Sequence, residues 1–440
     1  MVQQSLFDDL ETQASVAAPP APRRVGQPTP GERAFWEDWK ARALPGFVIP
    51  YCRALAASRL HRSCWWVDGL AAAGRSTGAS AGSASAEAIE ALAAASFTLR
   101  ALRLDAHPLK SQELQAAPAS EEPASNGPKQ RNTPARDQPS AQEIPASASR
   151  SELPEMLGTS AAVLLLNPFA APPLAAEDLL PLCQRRANTE LLLTISAAQV
   201  ERLALHSLAD NGTGARAVGE RGDASPRLAD APPPALTALL RSDNWKAVWT
   251  GEGTAASKVA RMLDLLQGLL KPHFLYVCLA PLGDAPTPRH FLLFASRQYP
   301  GLVLMNDFLC AELARLGRER EAHALQGDWF AKRRQRERAA AWAALKEELH
   351  TLGRARRARL WPDLKPTLVL GHFGQFSTAD YDAALRELLQ EGRVSCRWSP
   401  ATLQAAPAET PDALPAERIP GQQDFLEFIE AKTRPVWRRS

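Results

Sequence analysis

The chain has 440 residues, an apolar fraction of 45% and a net charge of only +3. This length exceeds that of a usual single domain, so two folded regions with linkers are expected. Because this net charge is small, any affinity for nucleic acid must come from local basic patches. Six scattered cysteines form no Cys-x-x-Cys pair, which argues against a zinc site or a disulfide framework. No signal-peptide pattern and no apolar run near ~18 residues is present, so we expect a cytoplasmic protein without a membrane anchor.

Residues 1–30 are rich in Pro, Ala and Gln and are predicted to form a disordered tail. Within this tail, Gln3-Gln4-Ser5-Leu6-Phe7 resembles the pentapeptide by which bacterial proteins dock on the DNA sliding clamp. In such a peptide Leu6 and Phe7 would enter an apolar pocket, and Gln3 would form a hydrogen bond at its rim. A match this short also arises by chance, so both interpretations stay open.

Two apolar runs end in polar tips that are candidates for a ligand site. The predicted strand Cys64–Val67 continues into Asp68-Gly69 and a loop of small residues that contains Gly74. The predicted strand Ala161–Leu166 ends in Asn167-Pro168-Phe169. Because ligands collect at the carboxyl ends of parallel strands, both tips are expected to line one crevice. For Asn167 the competing interpretation is an Asx turn before proline.

The elements around these tips indicate an α/β domain over residues 31–317. A strand over Phe97–Leu104 ends at Asp105, which is a candidate ligand residue or an ordinary turn or N-cap aspartate. Segments 106–155 and 209–234 have the composition of disordered insertions. The hydrophobic periodicity also predicts helices at 175–186, 199–208 and 255–270, and strands at 190–195, 274–280 and 289–296. The last two strands are expected to form an antiparallel hairpin in a mostly parallel sheet.

Residues 318–360 are predicted to form a basic helical linker. This stretch holds twelve Lys or Arg against six Asp or Glu, an excess of six. It is either a solvated helix or a surface for nucleic acid. The candidate nucleic-acid-binding residues are Lys332, Arg333, Arg334 and Arg336, together with Arg393 further along the chain.

Residues 361–440 are predicted to form a small winged-helix-like module. The pattern indicates a short strand at 367–370, a helix that begins after the N-cap Ser377, and a basic strand at 392–398. A closing helix is expected at 425–429.

Four motifs in this order resemble the three-Cys-motif partner (TcmP) family. They are Val67–Ala71, Asn167–Phe169, Phe291–Ser296 and Gly301–Asp307, and the similarity covers roughly residues 31–320. The resemblance implies a Rossmann-like class I methyltransferase fold with S-adenosylmethionine as cofactor. It also implies a radical-SAM-like protein with a three-cysteine motif as a partner.

The resemblance assigns roles to the two tips. Cofactor-binding residues would be Asp68, Gly69 and Gly74 around the methionine end, and Asp105 at the ribose hydroxyls. The catalytic tip would be Asn167, Pro168 and Phe169, which is similar to the (Asn/Asp)-Pro-Pro-aromatic tip of amino-methyltransferases but lacks the second proline. That similarity implies that amide and backbone oxygens accept from a target amine and that the aromatic ring stacks on a base. Alanines at 71–73 narrow the approach of the backbone to the cofactor. A second hypothesis is therefore an inactive adaptor that binds DNA and the sliding clamp.

Overall fold

The structure is a computed structural model that describes residues 29–70, 97–104, 150–170, 172–216, 234–283, 288–323, 327–355, 359–399 and 419–429. Its centre is a six-stranded sheet of order β2-β1-β3-β4-β6-β5. Strands β1 to β4 are mutually parallel, and β6 is antiparallel to both of its neighbours. The strands are β1 (Ser63–Asp68), β2 (Thr98–Arg103), β3 (Ala161–Leu166), β4 (Thr189–Ser196), β5 (Tyr276–Leu282) and β6 (His290–Ser296).

Helices cover both faces of this sheet. Alternate residues of β1 point to opposite sides, with Trp66 in one apolar cluster and Trp65 in the other. Every residue of β3 is buried, as expected for a central parallel strand. The result is a mixed α/β fold compatible with a Rossmann-like arrangement, which confirms the coarse fold prediction and the late antiparallel hairpin.

The first face carries α1 (Pro30–Ala43), a π-helical turn (Leu44–Val48), α2 (Ile49–Ser58), α9 (Tyr299–His323) and α10 (Gly327–Arg354). The second face carries α3 (Leu153–Leu157), α4 (Ala176–Cys183), α5 (Ala197–Arg216), α6 (Ala235–Leu240), α7 (Asn244–Thr250) and α8 (Ala255–Leu270).

Some boundaries differ from the predictions. Helix α5 continues to Arg216, through the start of the segment predicted as a disordered insertion from 209, and α3 begins inside the end of the segment 106–155. Residues 105–149 and 217–233 lie outside the described part. Helix α7 begins at Asn244, and its Trp245 is buried in the core of the second face.

The C-terminal part contains β7 (Arg359–Leu360), α11 (Trp361–Gly371), α12 (Thr378–Gln390), β8 (Val394–Arg397) and β9 (Phe425–Phe428). Its three strands form an antiparallel sheet of order β7-β9-β8. The N-cap prediction at Ser377 is confirmed, since Ser377 and Asp380 form a capping box.

Two predictions in this part are wrong. Residues 367–370 belong to α11, where Leu364 and Leu368, four residues apart, face the core. Residues 425–428 form β9 instead of a helix, because Leu426 faces inward between β7 and β8 while Phe425 faces outward.

The C-terminal elements share the apolar core of the first face. The Phe373 ring stacks on Phe294 of β6 at a centroid distance of 5.9 Å. Leu345 and Leu349 of α10 are buried in the same cluster. The boundaries predicted at 317/318 and 360/361 therefore do not coincide with a break in this core.

Candidate functional site

The carboxyl ends of β1 and β3 meet where the strand order of the parallel sheet reverses. Strand β1 lies between β2 and β3 in the sheet. The Gly69 N–H donates to the Leu165 carbonyl oxygen at 2.8 Å, and the Leu104 N–H donates to that of Asp68 at 3.0 Å. Such a switch point is where open α/β sheets bind ligands. The structure thus brings the Asp68-Gly69 tip beside the end of β3, which leads to Asn167.

Gly69 is packed closely against β3, so a side chain at this position would crowd that strand. A Cβ at this position would lie 2.6 Å from Leu166 Cδ2 and 3.0 Å from the Leu165 carbonyl oxygen. This close approach of two backbones is a physical reason for glycine that does not require a ligand.

Asp68 is engaged on both carboxylate oxygens. Oδ1 accepts from the Leu70 N–H at 2.9 Å, and Oδ2 pairs with Lys40 Nζ at 2.8 Å. Both side chains are largely buried, at 12% and 14% exposure. Lys40 also contacts Glu37, an i,i+3 spacing that from sequence indicates an ordinary surface pair. Nothing local to α1 signals the contact with Asp68, so sequence reasoning missed Lys40.

Helix α1 also reaches the carboxyl end of β4 through Glu32. This buried carboxylate accepts hydrogen bonds from the Ser196 hydroxyl and, at 2.6 Å, from the Thr29 N–H. Arg202 of α5 lies 3.7 Å away. Burial alone would raise the pKa of Glu32, but these hydrogen bonds and the Arg202 charge lower it below its ordinary value.

His290, at the start of β6, packs against α1 beside Glu32. Its ring stacks on Phe35 at a centroid distance of 4.2 Å and meets Trp36 edge-on. Burial, helped by Arg289, lowers the pKa of His290 in spite of the nearby Glu32 carboxylate. Helix α1 therefore runs along the carboxyl edge of the parallel strands and contacts the ends of β4, β6 and β1.

The Asn167-Pro168-Phe169 tip forms its hydrogen bonds within the protein. Asn167 Oδ1 accepts from the Phe169 N–H at 2.9 Å, and Nδ2 donates to Gln199 Oε1 at 3.0 Å. Asn167 is buried, and the Phe169 ring is fully buried in the core of the second face. This is the geometry of an Asx turn. In this conformation the ring is not presented to a base, and the catalytic role of the tip stays a prediction.

A small cavity lies beside the switch point, lined by Leu104 and Leu166 and by residues of α3 and α4. Arg150 closes one side and donates to the carbonyl oxygens of Pro172 and Pro173 at 2.9 and 3.2 Å. Burial lowers the pKa of Arg150, although Asp178 opposes this shift.

The basic residues near the start of α10 lie on two different sides of the helix. Arg334 faces the body and donates to the Gly317 carbonyl oxygen at 2.9 Å. Lys332 and Arg336, one turn apart, lie on the opposite side and are exposed. Arg333 is also exposed and pairs with Glu337 at 2.7 Å.

Arg393 does not join this group. Its guanidinium forms a bidentate pair with Glu347 at 2.6 and 2.8 Å. Glu347 follows Lys332 by fifteen residues of α10, about 22 Å along the helix axis at ~1.5 Å per residue.

The remaining predicted site residues lie outside the described residues. They are Gly74 and Asp105 of the cofactor site and Gln3, Leu6 and Phe7 of the clamp-like peptide. Among the residues that the structure does describe, no cluster of three His, Cys, Asp or Glu side chains is arranged to hold a metal ion. None of the described helices is long and apolar enough to span a membrane.

Comparisons with known proteins return no match. No protein-family model, no curated protein and no solved structure is significantly similar to this chain.

Proposed function

We propose that this chain is an S-adenosylmethionine-dependent methyltransferase-like protein of the three-Cys-motif partner type. The observation that carries the proposal is the switch point between β1 and β3, where the Asp68-Gly69 tip and the Asn167 tip lie on one edge of a mostly parallel sheet. A mostly parallel sheet with a late antiparallel hairpin also suits a class I methyltransferase. The methyl acceptor would be nucleic acid or the substrate of a radical-SAM-like partner.

The chemistry of the described residues fits the amino-acid end of this cofactor. S-adenosylmethionine carries an ammonium and a carboxylate on one carbon, and the Asp68 and Lys40 side chains offer the complementary charges side by side. The bound cofactor would supply the methyl group. Asp68 would then accept from the ammonium, and the Asn167 amide would have to exchange its bond to Phe169 for a bond to the acceptor. Positioning of donor and acceptor can supply most of the rate of such a transfer.

The test is a calorimetric titration of the full chain with S-adenosylmethionine and S-adenosylhomocysteine. We expect micromolar binding that weakens at least ~10-fold in Asp68→Asn, which retains the shape of the side chain but loses its charge. Glu37→Gln is the matched control, because Glu37 contacts the same lysine from the exposed side. Absence of heat and of thermal stabilisation at millimolar ligand would reject cofactor binding.

A second candidate function is a non-catalytic adaptor on DNA. Two observations favour it: the Asn167 side chain is fully engaged within the protein, and the basic side of α10 is exposed. After helix α10 the chain forms β7, α11, α12, β8 and β9, and the three strands pair into one small sheet. This order of elements suits a winged-helix-like module. Docking on the sliding clamp through Gln3, Leu6 and Phe7 belongs to the same proposal.

A further inference from the structure

The C-terminal part offers two surfaces to nucleic acid, and their charges differ. Helices α11 and α12 are joined by a short turn, and in helix-turn-helix proteins the second helix enters the major groove. Here α12 carries Asp380, Asp382 and Glu387 but only one cation, Arg386, a net charge of −2. The helix itself therefore brings no excess of positive charge toward phosphate.

The carboxylates of α12 are also occupied by neighbouring cations. Asp382 pairs with Lys365 at 2.8 Å and Glu387 with Lys346 at 2.9 Å. Arg338 reaches Asp380 at 3.2 Å. Because Arg338 and Lys346 belong to α10, helix α10 lies along the side of α12 that carries Asp380 and Glu387.

The other surface is the hairpin formed by α9 and α10. Three residues separate the two helices, and the Arg334 side chain bridges α10 to the Gly317 carbonyl oxygen of α9 at 2.9 Å. From 331 to 340 every side chain of α10 except Arg334 is exposed. The first deeply buried side chain beyond this stretch is Leu345. This end of the hairpin therefore stands free of the core along about two turns or more of α10.

The cations on the free end of the hairpin are only partly compensated. Arg333 pairs with Glu337, but both side chains are about 60% exposed, so the pair is weak. In the described part of the chain no carboxylate pairs with Lys332 or Arg336. These two side chains follow each other by one turn, about 6 Å along one side of the helix. Exposed alanines at 339, 340 and 343 continue this side and leave a polyanion room to approach.

We propose that the α9–α10 hairpin binds the phosphate backbone of duplex DNA through Lys332 and Arg336, with Arg333 alongside, and that α12 does not enter a groove. The inference rests on the second candidate function and is independent of cofactor binding. Contacts of cations with phosphate carry no base information, so binding is independent of sequence.

The experiment measures fluorescence anisotropy of a labelled mixed-sequence DNA duplex with the full chain from 50 to 300 mM salt. The double variant Lys332→Glu/Arg336→Glu is compared with Arg261→Glu/Lys271→Glu. The control pair has the same charge change and is also exposed, but it lies at helix α8 on the other face of the sheet. Arg393→Gln tests the ion-paired arginine separately, and duplex RNA and polyglutamate are the competing polyanions.

We expect the hairpin variant to bind at least ~10-fold more weakly at 50 mM salt. The slope of log affinity against log salt should fall by about 2, since two phosphate contacts are lost. The control and Arg393→Gln should match the wild type. If the wild type binds DNA and both double variants lose affinity equally, the hairpin is not the binding surface, although the protein still binds DNA. Equal affinity for polyglutamate would overturn nucleic-acid recognition, tighter binding of duplex RNA would reassign the polyanion, and no binding of the wild type would overturn the adaptor function as well.

Discussion

Glu190 of β4 is a carboxyl group with no exposure to solvent, far from the carboxyl edge of the sheet. Tyr51, Ser296 and Arg297 surround it, and Gly301 packs so closely that a Cβ there would lie 2.7 Å from Oε2. Burial raises the pKa of Glu190 to about 7, although these neighbours favour the ionised form. The folded protein therefore holds a proton that the unfolded chain releases near pH 4.5.

This shift predicts that Glu190→Gln stabilises the protein at neutral and alkaline pH. Between pH 4.5 and about 7 the folded state binds more protons than the unfolded state, so stability falls as pH rises. Glutamine does not titrate, so this loss of stability is absent in the variant. The difference in free energy of unfolding between variant and wild type should grow from pH 4.5 upward and reach about 3 kcal/mol above pH 7. Denaturant unfolding of both proteins from pH 4.5 to 8 measures it. Glu155→Gln, at an exposed position on α3, is the control. Parallel stability curves for Glu190→Gln and wild type would contradict the prediction.

The candidate site shows what sequence can supply at the scale of single residues. The strand ends at Asp68 and Asn167 follow from apolar runs that stop at polar residues, and the switch point brings them to one edge. The contacts of these residues could not be predicted. Lys40 reaches Asp68 across 28 residues, and Gln199 reaches Asn167 across 32. Neither distance leaves a periodic signal, because each depends on how a helix lies over the finished sheet.

At the scale of elements, Asn306 connects α9 to the turn between α11 and α12. Its Nδ2 donates to the Phe376 carbonyl oxygen at 2.8 Å, and its Oδ1 accepts from the Gly374 N–H at 2.9 Å. The next residue, Asp307, accepts from the Thr378 N–H at 2.6 Å. In the described structure, the Gly301–Asp307 motif thus ends in two side chains that hold the C-terminal helices.

We predict that Asn306→Ala lowers the free energy of unfolding by about 2–6 kcal/mol. The substitution leaves a buried N–H at Gly374 and a carbonyl at Phe376 without partners, and each costs about 1–3 kcal/mol. Chemical denaturation measures the loss. Asn244→Ala, at the exposed start of α7, should change stability by no more than ~0.5 kcal/mol. A loss for Asn306→Ala as small as this control would show that water replaces both bonds.

Element types were predictable where a segment carries its own pattern. Strand β3 and helix α8 have the predicted bounds, because β3 is apolar at all six positions and α8 repeats apolar residues at the helical period over 16 residues. The two errors fall on short apolar runs, at 367–370 and 425–429. A short apolar run is compatible with a helix or a strand, and contacts with elements distant in sequence decide which of the two forms. For β9 these partners are β7 and β8.

At the scale of the whole molecule, the described C-terminal elements and the sheet bury one continuous apolar cluster. Leu368 of α11 is fully buried in the cluster that also contains Phe294 of β6 and Leu165 of β3. An independent module would instead have its own core and a sparse interface. The packing therefore implies that the sheet and the C-terminal helices unfold together.

This implication predicts the pattern of hydrogen exchange in Leu368→Ala. The truncation should cost about 2–5 kcal/mol, because a buried leucine is replaced by a cavity. If unfolding is shared, the opening free energies of amides in β3 and β4 fall by the same amount as those in α11 and α12. Leu239→Ala, in the cluster of the other face, is the matched control for a buried leucine in a short helix. Faster exchange confined to residues 359–399 would mean that the C-terminal part opens on its own.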